Sequence, residues 1–178
     1  WPAYAALHGY QTRGGAWYAT GEAEAAESDL VAAGAIMIHD TSEAAARLWA
    51  MIGQNREKNL KNEEGALEAY RQVIDILRQK RGGAGRLDAA LTAVRFLREK
   101  GRIEEALEAL QLMNPYSQRG YWHGRILCAL GETLEAAGKK DEATAAYGEV
   151  HKDDGIHPSH REAAEKAIER LTESGVAE

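Results

Sequence analysis

Cysteine is nearly absent from these 178 residues, Cys128 being the only one. That excludes an internal disulfide, a CxxCH haem attachment and any multi-cysteine zinc site within one chain, and leaves Cys128 as a small buried side chain. Proline occurs three times and phenylalanine once. With few β-branched runs and abundant Ala, Glu, Leu and Arg, this composition favours an all-helical chain. Long hydrophobic runs are missing too. The longest, Leu30 to Ile38, has nine residues and contains Gly34, so no membrane insertion is expected. No G-x-S-x-G, H-E-x-x-H, G-x-G-x-x-G or paired CxxC motif occurs. The chain is therefore expected to have no chemistry of its own and to need no cofactor. An initiator Met is also lacking. The opening Trp1-Pro2 points to a processed product or an excised fragment, with an exported or periplasmic location slightly favoured over a cytoplasmic one.

What the chain has is repetition. From Leu127 to Val150 the sequence reads as two short helices around a tight turn. Leu127, Leu130 and Leu134 recur at helical spacing, Gly131 allows close helix approach, and Gly138 with Lys139 and Lys140 breaks the pattern. Ala143, Ala146, Tyr147 and Val150 then form one apolar face, with Asp141 near the helix start. Thirty-seven residues earlier Ala106, Ala109, Leu110 and Met113 repeat that face after Gly101. Forty residues before those stand Ala66, Ala69, Tyr70 and Val73, preceded by Trp49, Ile52 and Gly53, with one extra residue in the turn. A fainter copy is expected to run from Trp17 and Gly21 to Ala33, Ile36 and Met37. Such hairpins cannot bury both faces alone and need stacked neighbours.

These residues resemble the tetratricopeptide-repeat (TPR) family, whose motif is W-x2-L-G-x2-Y followed by A-x3-F. Leu130, Gly131, Ala143 and Tyr147 match it, as do Trp49, Ile52, Gly53, Ala66 and Tyr70. The middle copy departs from it, having Ala93 and Val94 where Leu and Gly are usual. The resemblance implies a right-handed all-α solenoid of hairpins at about 42–80, 86–114 and 120–152. An aromatic-rich segment with a degenerate repeat would precede them at 1–41, and a capping helix would close the chain at 159–174. It also implies that the first helices line a concave groove for a protein partner. Carried over by position, the groove residues are Arg47, Gln54 and Lys58, then Leu91, Arg95 and Arg98, then Arg125, Cys128 and Glu132. The Lys, Asn and Arg set with which some members clamp a terminal carboxylate is not found, since Glu132 takes the place of an Asn.

Charge adds a second theme. The total is −6, yet Arg71 to Arg102 holds nine basic and three acidic residues, a local +6. Lys80, Arg81 and Arg86 flank the turn Gly82-Gly83-Ala84-Gly85, while Arg95 and Arg98 lie on the next helix. Two readings stand: a solvated surface offset by acidic neighbours, or a basic patch for an acidic peptide or subunit. A nucleic-acid partner is disfavoured, because Phe96 is the only aromatic in the band and no Gly-Lys-Ser/Thr follows the glycines. The expected function is a protein-binding adaptor or accessory subunit of a larger assembly.

Residues 1 to 18 carry Trp1, Tyr4, Tyr10, Trp17 and Tyr18. They read as an N-terminal capping helix ended by Gly14 and Gly15, with docking of these aromatics on another copy as a route to a homo-oligomer. Ala35 to His39 is compatible with a short strand; Asp40, Thr41 or Ser42 would start the next helix, with Asp40 and Glu43 as a capping pair. The stretch from Asn114 through Pro115 and Gly120 to Trp122 reads as a connection rich in aromatics. His151, Asp153, Asp154, His157 and His160 fall within ten residues and give the alternative reading, a metal-binding or metal-dependent subunit. Against it, Gly155 and Pro158 interrupt any regular element, and Ser159 with Glu162 makes a capping box. The final helix would bury Ala163, Ala167, Ile168 and Leu171, and Thr172 to Glu178 would fray.

Overall fold

The structure, a computed structural model, describes residues 2–79, 83–113 and 120–174. Trp1, Lys80, Arg81, Gly82, residues 114–119 and residues 175–178, and the side chains of Pro2, Ala3, Tyr4 and Ser174, lie outside that description. Among the described residues all regular structure is helical. The helices are α1 (Pro2–Thr20), α2 (Ala23–Ile36), α3 (Glu43–Gln54), α4 (Glu63–Gln79), α5 (Ala84–Glu99), α6 (Ile103–Met113), α7 (Gly120–Ala136), α8 (Lys140–Val150) and α9 (Pro158–Ser174). They fall into two compact units, Trp1–Ala93 and Val94–Glu178, the boundary lying within α5. In the first unit α1 packs on α2, α2 on α3 and α3 on α4; in the second α7 packs on α6, α8 and α9.

Three hairpins turn by one mechanism. Gly21, Gly101 and Gly138 have φ of 82°, 69° and 73°. The N–H of each following residue donates back to the carbonyls of Trp17, Leu97 and Leu134, at 2.9, 2.8 and 2.9 Å. This is the left-handed glycine end of a helix, where a Cβ would be strained. Between α3 and α4 Lys61 holds the left-handed position with φ 54°. There the Asn62 N–H reaches the carbonyl of Arg56 at 2.8 Å, one residue further back. The extra residue anticipated in that turn is absorbed in the helix itself, as a π-helical segment at Asn55–Asn59.

The same geometry corrects the phase of the first copy. The left-handed turn residues are Gly21, Lys61, Gly101 and Gly138, and the buried alanines five places on are Ala26, Ala66, Ala106 and Ala143. The interval is forty, forty and thirty-seven residues throughout. The first copy is thus Gly14 with Ala26 and Leu30, and not Trp17 with Ala33, Ile36 and Met37. Trp17 is 39% and Ile36 42% exposed, whereas Ala26 and Leu30 are fully buried; Ala33 and Met37 are buried too, but they lie seven residues beyond the repeat positions. Sequence matching misses this because Arg13 and Asp29 occupy positions that are apolar in the second copy, Ile52 and Ala69. They form an ion pair, Arg13 Nε to Asp29 Oδ2 at 2.5 Å and Nη2 to Oδ1 at 2.6 Å.

Each well-formed copy places a glycine of the first helix under a large side chain of the second. A Cβ on Gly131 would meet the Tyr147 ring at 2.5 Å, and one on Gly53 the Tyr70 ring at 2.7 Å. On Gly14 it would meet Leu30 at 3.0 Å. The tyrosine hydroxyls then donate to a glutamate four residues beyond the glycine: Tyr70 to Glu57 at 2.7 Å and Tyr147 to Glu135 at 2.6 Å. In the middle copy Val94 and Leu110 replace glycine and tyrosine, and both are buried. A branched side chain fills the space that the missing ring leaves.

Several local expectations change. Helix α1 runs unbroken through Gly14 and Gly15, because Gly14 serves helix contact rather than a turn. The segment from Ala35 to His39 is no strand: α2 continues to Ile36 and a turn follows, with the Met37 N–H bonded to the Ala33 and Gly34 carbonyls. Of the three starts expected for α3, Ser42 is the cap, its Oγ accepting from the Ala45 N–H, while Asp40 accepts from the Ser42 N–H instead of pairing with Glu43. At α9 the chain enters through Pro158 at the first helical position, and His157 Nδ1 faces Ser159, so the Ser159–Glu162 box does not form. Ala164 and Ala167 are the buried residues of that helix while Ala163 is exposed, and Thr172 is still helical.

Candidate functional site

In the first unit the residues carried over to a groove are held unequally. Arg47 is exposed and pairs with Glu43 one turn back at 3.3 Å. Glu43 Oε2 also accepts the Gly85 N–H at 3.0 Å, tying the start of α3 to α5. Gln54 is half-buried and accepts from the Tyr18 hydroxyl at 3.5 Å. Lys58 is exposed in the π-helical segment. Leu91 is buried, at 8% exposure.

The second unit gathers more of them. Arg98 forms an ion pair with Glu132 of α7, and Arg95 pairs with Glu99 at 2.7 Å. Other arginines of the basic band are likewise met: Arg78 by Asp75 at 2.5 Å, Arg102 by Glu105, and Arg86 by the Thr41 carbonyl at 3.2 Å. Beside Glu132 a groove of about 460 Å³ opens between α7 and α9, lined by Cys128, Glu132, Tyr147, Ala163, Lys166 and Arg170 with Ala167. Its lining is small and apolar at Cys128, Ala163 and Ala167. Charges of both signs flank it. Arg170 holds Glu135 through both carboxylate oxygens, at 2.8 and 2.6 Å, and Lys166 pairs with Glu162 at 2.6 Å. Burial and the nearby Glu132 push the Cys128 thiol up to about 11, so it is an unreactive wall and not a nucleophile. Burial and the hydrogen bond to Glu135 raise the Tyr147 phenol as well.

The five His and Asp residues do not converge. His151 is exposed, and Asp153 accepts from the N–H groups of Gly120 at 3.2 Å and Gly155 at 2.8 Å. Asp154 is fully exposed, 3.9 Å from Arg161. Among the described residues no group of three His, Cys, Asp or Glu side chains could hold a metal ion. The metal reading is thereby corrected: His151 ends α8, and Asp153 ties the connection between α8 and α9 to the start of α7. His157 and His160 turn the other way, toward the start of α7. Their rings lie 6.2 Å apart, and the Tyr121 ring stands 6.4 Å from His157 and 5.2 Å from His160. Arg125 lies 5.7 Å from the centre of the Tyr121 ring and 5.0 Å from that of Trp122. A Cβ on Gly124 would meet Ile156 at 2.6 Å, so this glycine lets the connection and α9 settle on α7.

The contribution of α9 to the groove escapes a reading of the sequence as a cap alone. The available signal was Ala163, Lys166 and Arg170 at helical spacing on one face.

No protein-family model and no curated protein sequence matches the chain. Among solved structures it is similar to a Podosopora anserina chain described as a kinesin light chain with nearly identical TPR-like repeats. The TM-score is 0.72 at 16% identity, over 99% of this chain and 89% of that one. The fold is therefore a TPR-like helical repeat. No helix among the described residues is long and apolar enough to cross a membrane.

Proposed function

We propose that this chain is a non-enzymatic protein-binding module, an adaptor or accessory subunit of a larger assembly. It holds an extended or helical partner segment against the first helices of its hairpins. The observation that carries this reading is the groove beside α7. Cys128 and Glu132, two positions to which the TPR resemblance assigns ligand contact, line it together with α9. Arg47, Gln54, Lys58, Arg95, Arg98 and Arg125 supply the remaining contacts. A pre-formed helical surface lowers the ordering cost of binding, and its charges chiefly orient the partner and raise its association rate.

The test is capture of the partner by the tagged full-length chain at low and high salt, with wild type and with Arg95→Glu/Arg98→Glu. Circular dichroism would check that the variant folds. The variant should lose a stoichiometric partner and flatten the salt dependence of what remains. Equal capture at both salt concentrations would remove the band from the mechanism.

A further inference from the structure

At the end of the α7–α9 groove stands the cluster of Tyr121, Arg125, His157 and His160. Tyr121 is one of the few large apolar side chains left exposed, at 49%. His157 Nδ1 is engaged by Ser159, 2.8 Å from its hydroxyl and 3.3 Å from its N–H, which fixes the orientation of the ring. His160 Nε2 is buried and has no hydrogen-bond partner among the described residues. A buried polar atom left in that state is costly unless something joins it.

The charges that face the cluster come from three elements. Helix α7 supplies Arg125. The connection supplies His157, while its Asp153 side chain is turned to the Gly120 and Gly155 amides and Asp154 lies out in solvent. Helix α9 supplies His160 and Arg161, the latter donating to the Asp153 carbonyl at 2.9 Å. None of the four cluster residues is a carboxylate, and each either carries positive charge, can acquire it or stacks on a cation. Trp, Tyr and Arg are also the residue types that dominate interface energetics.

We propose that this cluster is a protonation-controlled docking point for an acidic side chain of the protein partner, held more tightly when the imidazoles are charged. The proposal rests on the partner-binding reading above and names the partner's chemistry. Burial and the nearby Arg125 and His157 hold the His160 imidazole below its ordinary range. An incoming carboxylate favours the charged imidazole by offsetting the repulsion from these neighbours, so binding and proton uptake reinforce one another.

The experiment titrates an acetylated, amidated penta-glutamate peptide into the full-length chain at about pH 7.5 and about pH 5.5, on either side of the usual imidazole value and above that of glutamate. Calorimetry gives the affinity, and the ring resonances of His157 and His160 report the location. The expected result is at least ~3-fold tighter binding at the lower pH, with both rings shifted. Tyr121→Ala and His160→Gln should each weaken it. Because His160→Gln could disturb the packing on Gly124, the wild-type ring shifts and the half-exposed Tyr121 carry the test independently. Unshifted rings at both pH values, or equal affinity at the two, would overturn the proposal. So would equal binding of free-acid penta-glutamine, which presents only a terminal carboxylate. If partner capture still depends on Arg98 while penta-glutamate moves neither ring, the protein-binding reading stands and the docking point falls.

Discussion

At the scale of single residues the repeat is a glycine beneath a ring. Gly131 and Tyr147 leave no space between them, and Gly131→Ala should cost about 1–3 kcal/mol, as overpacked cores do. The middle copy indicates the remedy, since Val94 stands opposite a leucine position there. Gly131→Ala combined with Tyr147→Leu should therefore recover part of the loss, and a double-mutant cycle by urea unfolding would measure the coupling. Strictly additive losses would show that the two positions do not share one space. This part of the fold was legible: Gly53 with Tyr70 and Gly131 with Tyr147 stand out because both members of each pair keep their identity. The hydroxyl partners Glu57 and Glu135 were not legible. A glutamate four residues past a glycine looks like any exposed carboxylate until the ring is in place.

At the scale of the hairpin, α1–α2 is a repeat whose apolar contact has been exchanged for an ion pair. Asp29 is 6% exposed, and Arg13 and Trp17 hold its carboxyl below the usual range. Asp29→Ala alone should lower the Tm, because it strips Arg13 of its partner. The double change Arg13→Ile with Asp29→Ala, which copies Ile52 and Ala69 of the second hairpin, should recover the wild-type Tm or exceed it. A double variant that melts below Asp29→Ala would show that the pair does more than stand in for apolar packing. The exchange also explains the limits of the sequence. Most helices and the turns at Gly101 and Gly138 were readable from periodicity, but Gly14 and Gly15 read as the break that Gly21 makes, and the first copy was placed seven residues late. Trp17 and Ile36 drew the match toward themselves, although neither belongs to the core. The reach of α9 into the groove was equally hidden, since its exposed Ala163, Lys166 and Arg170 obey the same pattern as any solvated face.

At the scale of the whole molecule, protons connect stability to the groove. The His160 imidazole is depressed, so its neutral form is favoured in the folded chain. That contribution is complete above the unfolded value, about 6.5, and is lost as pH falls from there toward the lower folded value. The Tm should decline over this window, and His160→Gln should flatten the decline if the variant remains folded. Asp29 acts further down: its stabilisation is present above the ordinary carboxyl value of 3.8 and disappears as pH falls through the lower folded one. Elsewhere Asn55 sits fully buried at the end of α3. It donates to the Ala23 carbonyl at 3.0 Å and to Glu27 at 3.2 Å, and accepts from Asn59 at 3.0 Å. The neighbouring Arg56 adds a bond to Glu27 at 2.7 Å. Under mechanical load applied at the N-terminus this cluster would act as a catch. Helix α2 cannot peel from α3 until the Asn55 amide and the Arg56 guanidinium are released together, so the first hairpin should yield as one abrupt step, and Asn55→Ala should turn that step into gradual fraying.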